Sequence, residues 1–343
     1  MKEFHSEMIK SIELGHLTKL SNEQKKKVMS RPHNFTYLNY VQKLNKNIRP
    51  VSNSSCPHKS GSLNSNCLSG PNLLSNLYQI IMGIVLSPFM CILDIKQAFR
   101  SIFTCETSNS LRLLCYWSDP DDETCDQVLQ LKRLNYGDAC SSCFLELCLR
   151  LIVLPACETQ LAKDTISKFR FVDDFMILSL SRQELEEAVF DLVKTLNSFS
   201  IPVKHSIFSH KLLPPVIDPI QVVFHHEYDV IKDFFTICTD INLHKKTRGT
   251  FTGKYLSEMS QVEIAQQKIG KTHIARILGT LFDPLGQLAV VRACFLSYFS
   301  DICEIIKDWK TCLQNHDPLR LKIINSLIDL SKSIPVAPFP RCN

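Results

Sequence analysis

Phe169-Arg170-Phe171-Val172-Asp173-Asp174-Phe175-Met176-Ile177-Leu178-Ser179-Leu180 sets two adjacent carboxylates between two apolar runs. Phe169 to Val172 and Phe175 to Leu180 read as two buried strands joined by a hairpin. Water hydrates a carboxylate pair well, so a chain that places Asp-Asp between buried strands needs the charges at the turn. Side chains alternate faces along a strand, and only a tight turn lets neighbouring Asp residues address one cleft. The pattern fits a metal-holding hairpin. A solvated Asp-Asp turn fits the same twelve residues, and the rest of the chain decides between the two.

Upstream, Met90 to Ile95 reads as a buried strand running into Asp94. It follows a helix in which Leu73, Leu77, Ile80, Ile81 and Ile84 recur at helical spacing, with Pro71 suited to its first turn and Pro88 ending it. Leu111 to Trp117 and Gln127 to Leu131 form a surface hairpin about the turn-rich Asp119-Pro120-Asp121-Asp122-Glu123. After Gly137 comes a helix marked by Phe144, Leu147, Cys148, Leu151 and Ile152. Downstream, Ser181 and Glu184 make a capping box that opens an amphipathic helix (Leu185, Val189, Leu192, Leu196, Phe199), and a strand at Ile201 to Ile207 follows. Strand, helix, hairpin, helix, strand is a split βαβ pattern of the ferredoxin-like kind, which predicts an α+β fold. Asp94 and Asp173 then meet at one edge of the sheet.

Two strands that bring Asp94 beside Asp173 and Asp174 offer oxygen ligands suited to Mg²⁺ rather than zinc. Two such ions ~3.5–4 Å apart support in-line phosphoryl transfer, activating a 3′-hydroxyl and steadying pyrophosphate. Phe99, five positions beyond Asp94, is placed to occupy the space of a ribose 2′-hydroxyl and so favour deoxynucleotides; a core phenylalanine is the plain alternative.

Composition sets the frame. At 343 residues and 45% hydrophobic the chain has enough apolar surface for two or three units with cores. A net charge of +5 is mild, weaker than that of a histone-like tail, and is compatible with a local basic groove rather than a uniformly basic surface. Fifteen cysteines are an odd number, scattered through apolar segments such as those around Cys91, Cys105, Cys115, Cys148, Cys157, Cys238 and Cys294. They read as reduced, buried thiols of an intracellular protein rather than a disulfide framework. Cys140-Ser141-Ser142-Cys143 is one CxxC without a second, and Cys56, His58 and Cys67 fall short of a structural zinc set. Met1 to Lys27 has no apolar signal core, and Leu77 to Leu93, with Gln79, Gly83 and Pro88, falls short of the ~20 apolar residues of a membrane span.

Seven segments in order then carry a resemblance: Ile48-Arg49-Pro50-Val51 with Ser52 to Ser55; Ser62-Leu63-Asn64 leading to Gly70-Pro71-Asn72-Leu73; Leu93-Asp94-Ile95-Lys96-Gln97-Ala98-Phe99; Leu134-Asn135-Tyr136-Gly137; Phe171-Val172-Asp173-Asp174; Phe199 to Lys204; and Phe282-Asp283-Pro284-Leu285-Gly286. Together they resemble the reverse transcriptase of BEL/Pao-type LTR retrotransposons. The resemblance implies a right-hand polymerase: a fingers-like region over 1–88, a palm over 89–240 with the 111–131 hairpin as a fingers-like insertion, and a helical thumb or connection over 241–343. It implies Asp94, Asp173 and Asp174 as catalytic metal ligands for two Mg²⁺ ions, with Mn²⁺ as substitute. Nucleotide contacts fall to Arg49, Ile95, Phe99, Gly137 and Lys204, the lysine acting as a general acid near pyrophosphate. Lys245, Lys246, Arg248, Lys254, Lys268, Lys271 and Arg276 would track phosphates without reading sequence; a solvated helix face is the plain alternative.

The implied activity is RNA-directed DNA polymerisation with an RNA or DNA template, a primer and deoxynucleoside triphosphates, in an intracellular, cytoplasmic or particle-associated setting and away from membranes. RNase H and integrase domains are expected in the parent polyprotein and are not found in this sequence. The chain departs from its relatives at Cys143, where a proline is usual, at His205, where Trp is usual, and over Val222 to Tyr228, where a primer-gripping strand is expected. A catalytically inactive nucleic-acid-binding remnant is the rival expectation, and a metal-dependent nuclease the third.

Overall fold

The computed structural model describes residues 2–41, 48–58, 61–117, 127–209, 220–223, 226–237, 241, 243, 246–247, 250–251, 254–281, 283, 286, 288–333 and 339–341. The fold is α+β with several small sheets. The chain divides into two compact units, one of residues 1–76 and 90–207, the other of 77–89 and 208–343. This partition differs from the three regions expected: residues 77–89 and 208–240 group with the C-terminal segment. Among the described residues no helix is long and apolar enough to cross a membrane.

In the first unit the strands are β1 (Leu17–Lys19), β2 (Tyr37–Val41), β3 (Arg49–Asn53), β4 (Phe89–Ile95), β5 (Leu113–Tyr116), β6 (Gln127–Leu131), β7 (Arg170–Phe171), β8 (Asp174–Ser179) and β9 (Val203–Phe208). The sheet that decides the site runs β7-β8-β4-β9. Met90 to Leu93 and Phe175 to Leu178 are buried on both faces, which is why these strands read as unbroken apolar runs rather than as alternation. Ile95 N–H donates to the Asp173 carbonyl (3.1 Å) and Lys96 N–H to the Pro202 carbonyl (2.8 Å). The end of β4 therefore lies beside the starts of β8 and β9, and Asp94 and Asp173 meet at the strand ends in the middle of the sheet rather than at its edge. The helices Gln160–Lys168 and Arg182–Ser198 pack on β8.

Strands β5 and β6 pair antiparallel as expected, with β1 on the far side of β6. They are not a surface hairpin: Leu114, Tyr116, Leu129 and Leu131 form a core with Met8 and Leu17. Other expectations shift too. The helix foreseen from Pro71 begins at Leu77, because Asn72 Oδ1 accepts from Leu74 N–H (3.1 Å) and holds a local turn in its place. Ser181 caps its helix by accepting from Glu184 N–H, but the Glu184 carboxylate accepts from the Ser179 hydroxyl (2.5 Å) instead of closing the box. The helix after Gly137 spans Ser141–Cys148, continues as one π-helical stretch over Leu149–Val153 and ends with Leu154–Ala156, where Pro155 lies. Its buried face is Leu145, Glu146, Leu149 and Val153, while Phe144, Leu147, Leu151 and Ile152 lie outward. That segment is apolar nearly all round, and spacing alone could not choose its face.

In the second unit, Ile220–Val223, His226–Asp229, Phe234–Ile237 and Phe339–Pro340 make an antiparallel sheet. Helices Lys271–Thr280, Ala289–Ile305 and Pro318–Ser333 enclose a core including Ile274, Ile277, Phe295, Ile302, Ile323 and Leu327. The expected corner between helices falls at 281–288, where Asp283 Oδ2 accepts from Leu288 N–H (2.6 Å); Phe282, Pro284 and Leu285 lie outside the described residues. Cys91, Cys140, Cys143 and Cys157 are buried, whereas Cys105, Cys115 and Cys294 are exposed, contrary to the expectation of buried thiols. Cys238 lies outside the described residues.

Candidate metal and nucleotide site

The hairpin between β7 and β8 pairs Arg170 with Phe175 and Phe171 with Asp174, leaving Val172 and Asp173 as a two-residue loop. Val172 has φ +56°. A positive φ at the first loop residue is the place usually given to glycine in such turns, and a β-branched side chain there is a genuine outlier. The strained turn points the chain so that Asp173 closes the loop and Asp174 opens β8, one strand away from Asp94.

All three carboxylates are half-buried. Burial pushes Asp174 up to about 7, with the negative charges of Asp173 and Asp94 adding to it and Lys204 opposing. Asp173 is raised as well, by burial first and by Asp94; its own backbone N–H and Lys204 pull the other way. Burial and mutual repulsion thus both disfavour the ionised acids. Lys204 on β9 reaches across to Asp94, Nζ to Oδ2 2.8 Å. Among the described residues no three His, Cys, Asp or Glu side chains converge into a ready-made cation cage. The donor set still fits Mg²⁺, an ion held by one or two carboxylates and completed by water and substrate phosphates rather than by an all-protein cage.

Phe99 lies on a short 3-10 turn, Ala98–Ser101, entered through Gln97 at φ +53°. It is half-buried, not a core residue, and meets the exposed Tyr136 edge to face at 4.9 Å. Ile95 is buried, and its N–H is taken by the Asp173 carbonyl. Gly137 has φ +104°, and a Cβ there would sit 2.5 Å from the Ser52 carbonyl oxygen on β3. Its lack of a side chain is therefore required by the packing of this loop against β3. Asn64 ties the same loop, donating to the Gly137 carbonyl (2.8 Å) and accepting from Ala139 N–H (2.9 Å). Arg49 opens β3.

Of the seven basic residues assigned to phosphates, the side chains of Lys254, Lys268, Lys271 and Arg276 are described. Lys271 is buried and donates to the Lys307 carbonyl (3.2 Å), and Arg276 donates to the Leu243 carbonyl (3.1 Å). Lys254 pairs with Glu263 (2.7 Å), and Lys268 is exposed. Lys246 begins a two-residue strand; Lys245 and Arg248 lie outside the described residues. Lysines that a sequence places on a solvated face are here partly consumed by helix ends and carbonyls of their own unit.

Sequence reasoning gave no role to Arg170 and Glu146 at the hairpin, or to Tyr136 beside Phe99. The first two carry a signal in hindsight, opposite charges set inside apolar segments, since such charges are seldom buried unless paired. Neither a protein-family model nor a curated protein matches the chain.

Proposed function

We propose that the chain is an RNA-directed DNA polymerase domain of the right-hand type, adding deoxynucleotides to a primer 3′-hydroxyl. The observation that carries this reading is the meeting of Asp94 with Asp173 and Asp174 at the ends of β4 and β8, with Lys204 on β9 beside them. The strand order β7-β8-β4-β9, with helices linking β4 to β7 and β8 to β9, follows the split βαβ scheme that a polymerase palm uses. The partly exposed Phe99 and Tyr136 beside this end of the sheet support a sugar-sensing role.

Asp94, Asp173 and Asp174 would hold Mg²⁺, which when bound supplies charge stabilisation for phosphoryl transfer. The rest falls to the chain itself. Asp174, which burial and the neighbouring acids bring to titrate at about 7, would hold such an ion in its ionised form. Lys204 exchanges its pairing with Asp94 for the phosphates of the incoming nucleotide and is placed to protonate the leaving pyrophosphate. Phe99, braced by Tyr136, excludes a 2′-hydroxyl by volume. The tied loop Asn135 to Ala139 presents backbone rather than side chain at Gly137.

Comparing a primed RNA with the same RNA unprimed tests the assignment. Nucleotide addition to the primer in Mg²⁺ or Mn²⁺, with the unprimed strand left intact, supports a polymerase. Cleavage of the unprimed strand without addition would overturn it in favour of a nuclease that uses the same acids.

A further inference from the structure

Arg170 is among the most buried side chains of the molecule, 1% exposed, and stands three residues before the acid pair. Its Nη1 donates to the Val172 carbonyl (2.8 Å), its Nη2 to Glu146 Oε2, and its guanidinium lies 5.5 Å from the Phe175 ring centroid. Glu146 is 2% exposed. The same carboxylate oxygen faces Arg150 Nε (3.5 Å), and Arg150 Nη2 donates to the Leu73 carbonyl (2.9 Å). Arg150 lies in the π-helical stretch Leu149–Val153, a distortion that recurs at functional sites. A continuous chain of contacts thus runs from the Gly70–Leu73 segment through Arg150, Glu146 and Arg170 to the peptide between Val172 and Asp173.

This pair is poorly explained as a stabilising device. Removing two charges from water costs several kcal/mol per ion unless every remaining polar atom is matched. Here Arg170 Nε and Glu146 Oε1 are buried without a hydrogen-bond partner. An apolar pair of equal volume would serve packing as well or better. What the charge does is specific: it anchors the carbonyl of Val172, a loop residue held in a left-handed conformation that its side chain resists.

We propose that Arg170 and Glu146 are positioning residues, a clamp that holds Val172 at positive φ and thereby aims Asp173, with Arg150 extending the clamp to Leu73. In its catalytic consequence this rests on the polymerase reading; in its geometry it does not. Releasing the clamp lets the Val172 peptide rotate toward an unstrained conformation, and the Ile95 N–H to Asp173 carbonyl bond at the end of β4 is lost with it.

Arg170→Met, Glu146→Gln and the double variant Arg170→Met/Val172→Gly test the clamp, with thermal unfolding confirming that each is folded. The first readout is hydrogen exchange at the Ile95 amide, which needs no activity. Arg170→Met is expected to exchange at least ~10-fold faster there than the wild type while Phe175 to Leu178 keep their protection. Glu146→Gln is expected to shift the same amide in the same direction by less. Adding Val172→Gly restores protection, because glycine takes positive φ without strain. The second readout is the Mg²⁺ concentration for half-maximal primer extension, expected to rise ~10–100-fold in Arg170→Met, the usual effect of losing an outer support of a metal ligand, and to fall back in the double variant. If wild type never extends a primer, the polymerase reading fails and the exchange data alone decide the clamp. Unchanged exchange at Ile95 in both single variants would overturn it, as would a loss that Val172→Gly does not restore, the mark of a merely structural residue; should Arg170→Met not fold, Glu146→Gln decides.

Discussion

Lys204 Nζ lies 2.8 Å from Asp94 Oδ2, the edge strand β9 reaching to the end of its neighbour β4. The lysine is 59% exposed and the acid 27%, so the pair is of the kind worth little to stability, and its consequence is electrostatic. Lys204 lowers the proton affinity of both Asp173 and Asp174. Lys204→Met is therefore expected to raise the pH at which Asp174 ionises in the cation-free protein, with fold stability nearly unchanged. Carboxyl ¹³C titration by NMR reads the shift, and an unmoved Asp174 would show that Lys204 does not act on it.

The acid pair also fixes a pH dependence of stability. Asp174 ionises near 7 in the fold and near 3.9 in an unfolded chain. Between those values the folded state holds a proton that the unfolded state has released, so cation-free stability falls as pH rises from about 4 to about 7. Asp174→Asn is expected to remove this contribution and flatten the profile. Mg²⁺ at neutral pH is expected to reverse the loss in wild type and to do less in Asp174→Asn. Thermal unfolding across that window, with and without Mg²⁺, checks both signs.

Phe99 and Tyr136 meet at 4.9 Å with their planes at 81°. If the first ring excludes a 2′-hydroxyl and the second braces it, Phe99→Ala raises ribonucleotide use relative to deoxynucleotide by about 10- to 100-fold. Tyr136→Ala moves selectivity the same way by less, and the double variant adds little to Phe99→Ala. Discrimination that does not move in Phe99→Ala assigns that ring to packing alone.

The helix after Gly137 offers a test of which face is inward. Leu149 is fully buried and Leu151 is 71% exposed. Leu149→Ala is expected to cost about 2–5 kcal/mol, and Leu151→Ala to stay within about 0.5 kcal/mol. Urea unfolding distinguishes the two.

These outcomes also show what the sequence could and could not convey. The hairpin, its two acids, the strand into Asp94 and the alternation of strand and helix were legible because buried central strands are continuous apolar runs and turn residues punctuate them. The inward face of the helix from Ser141 was not, since Phe144, Leu147 and Leu151 recur at helical spacing just as Leu145, Leu149 and Val153 do. Nor was the clamp, because pairing Arg170 with Glu146 needs a contact across 24 positions that no local pattern encodes. The setting of Lys271 was hidden for a related reason: charge counts do not say whether a lysine meets a phosphate or, as here, a carbonyl of its own fold.

The central claim is that Asp173 is a metal ligand for nucleotidyl transfer, and single-turnover extension of a DNA primer on an RNA template in Mg²⁺ tests it most directly. Synthesis by the wild-type chain is expected, with a fall of about 10³-fold or more in Asp173→Asn, equivalent to losing several kcal/mol of transition-state stabilisation, and with binding of the primed template retained. Folded wild-type protein that never extends the primer, or Asp173→Asn that extends it at the wild-type rate, would contradict it.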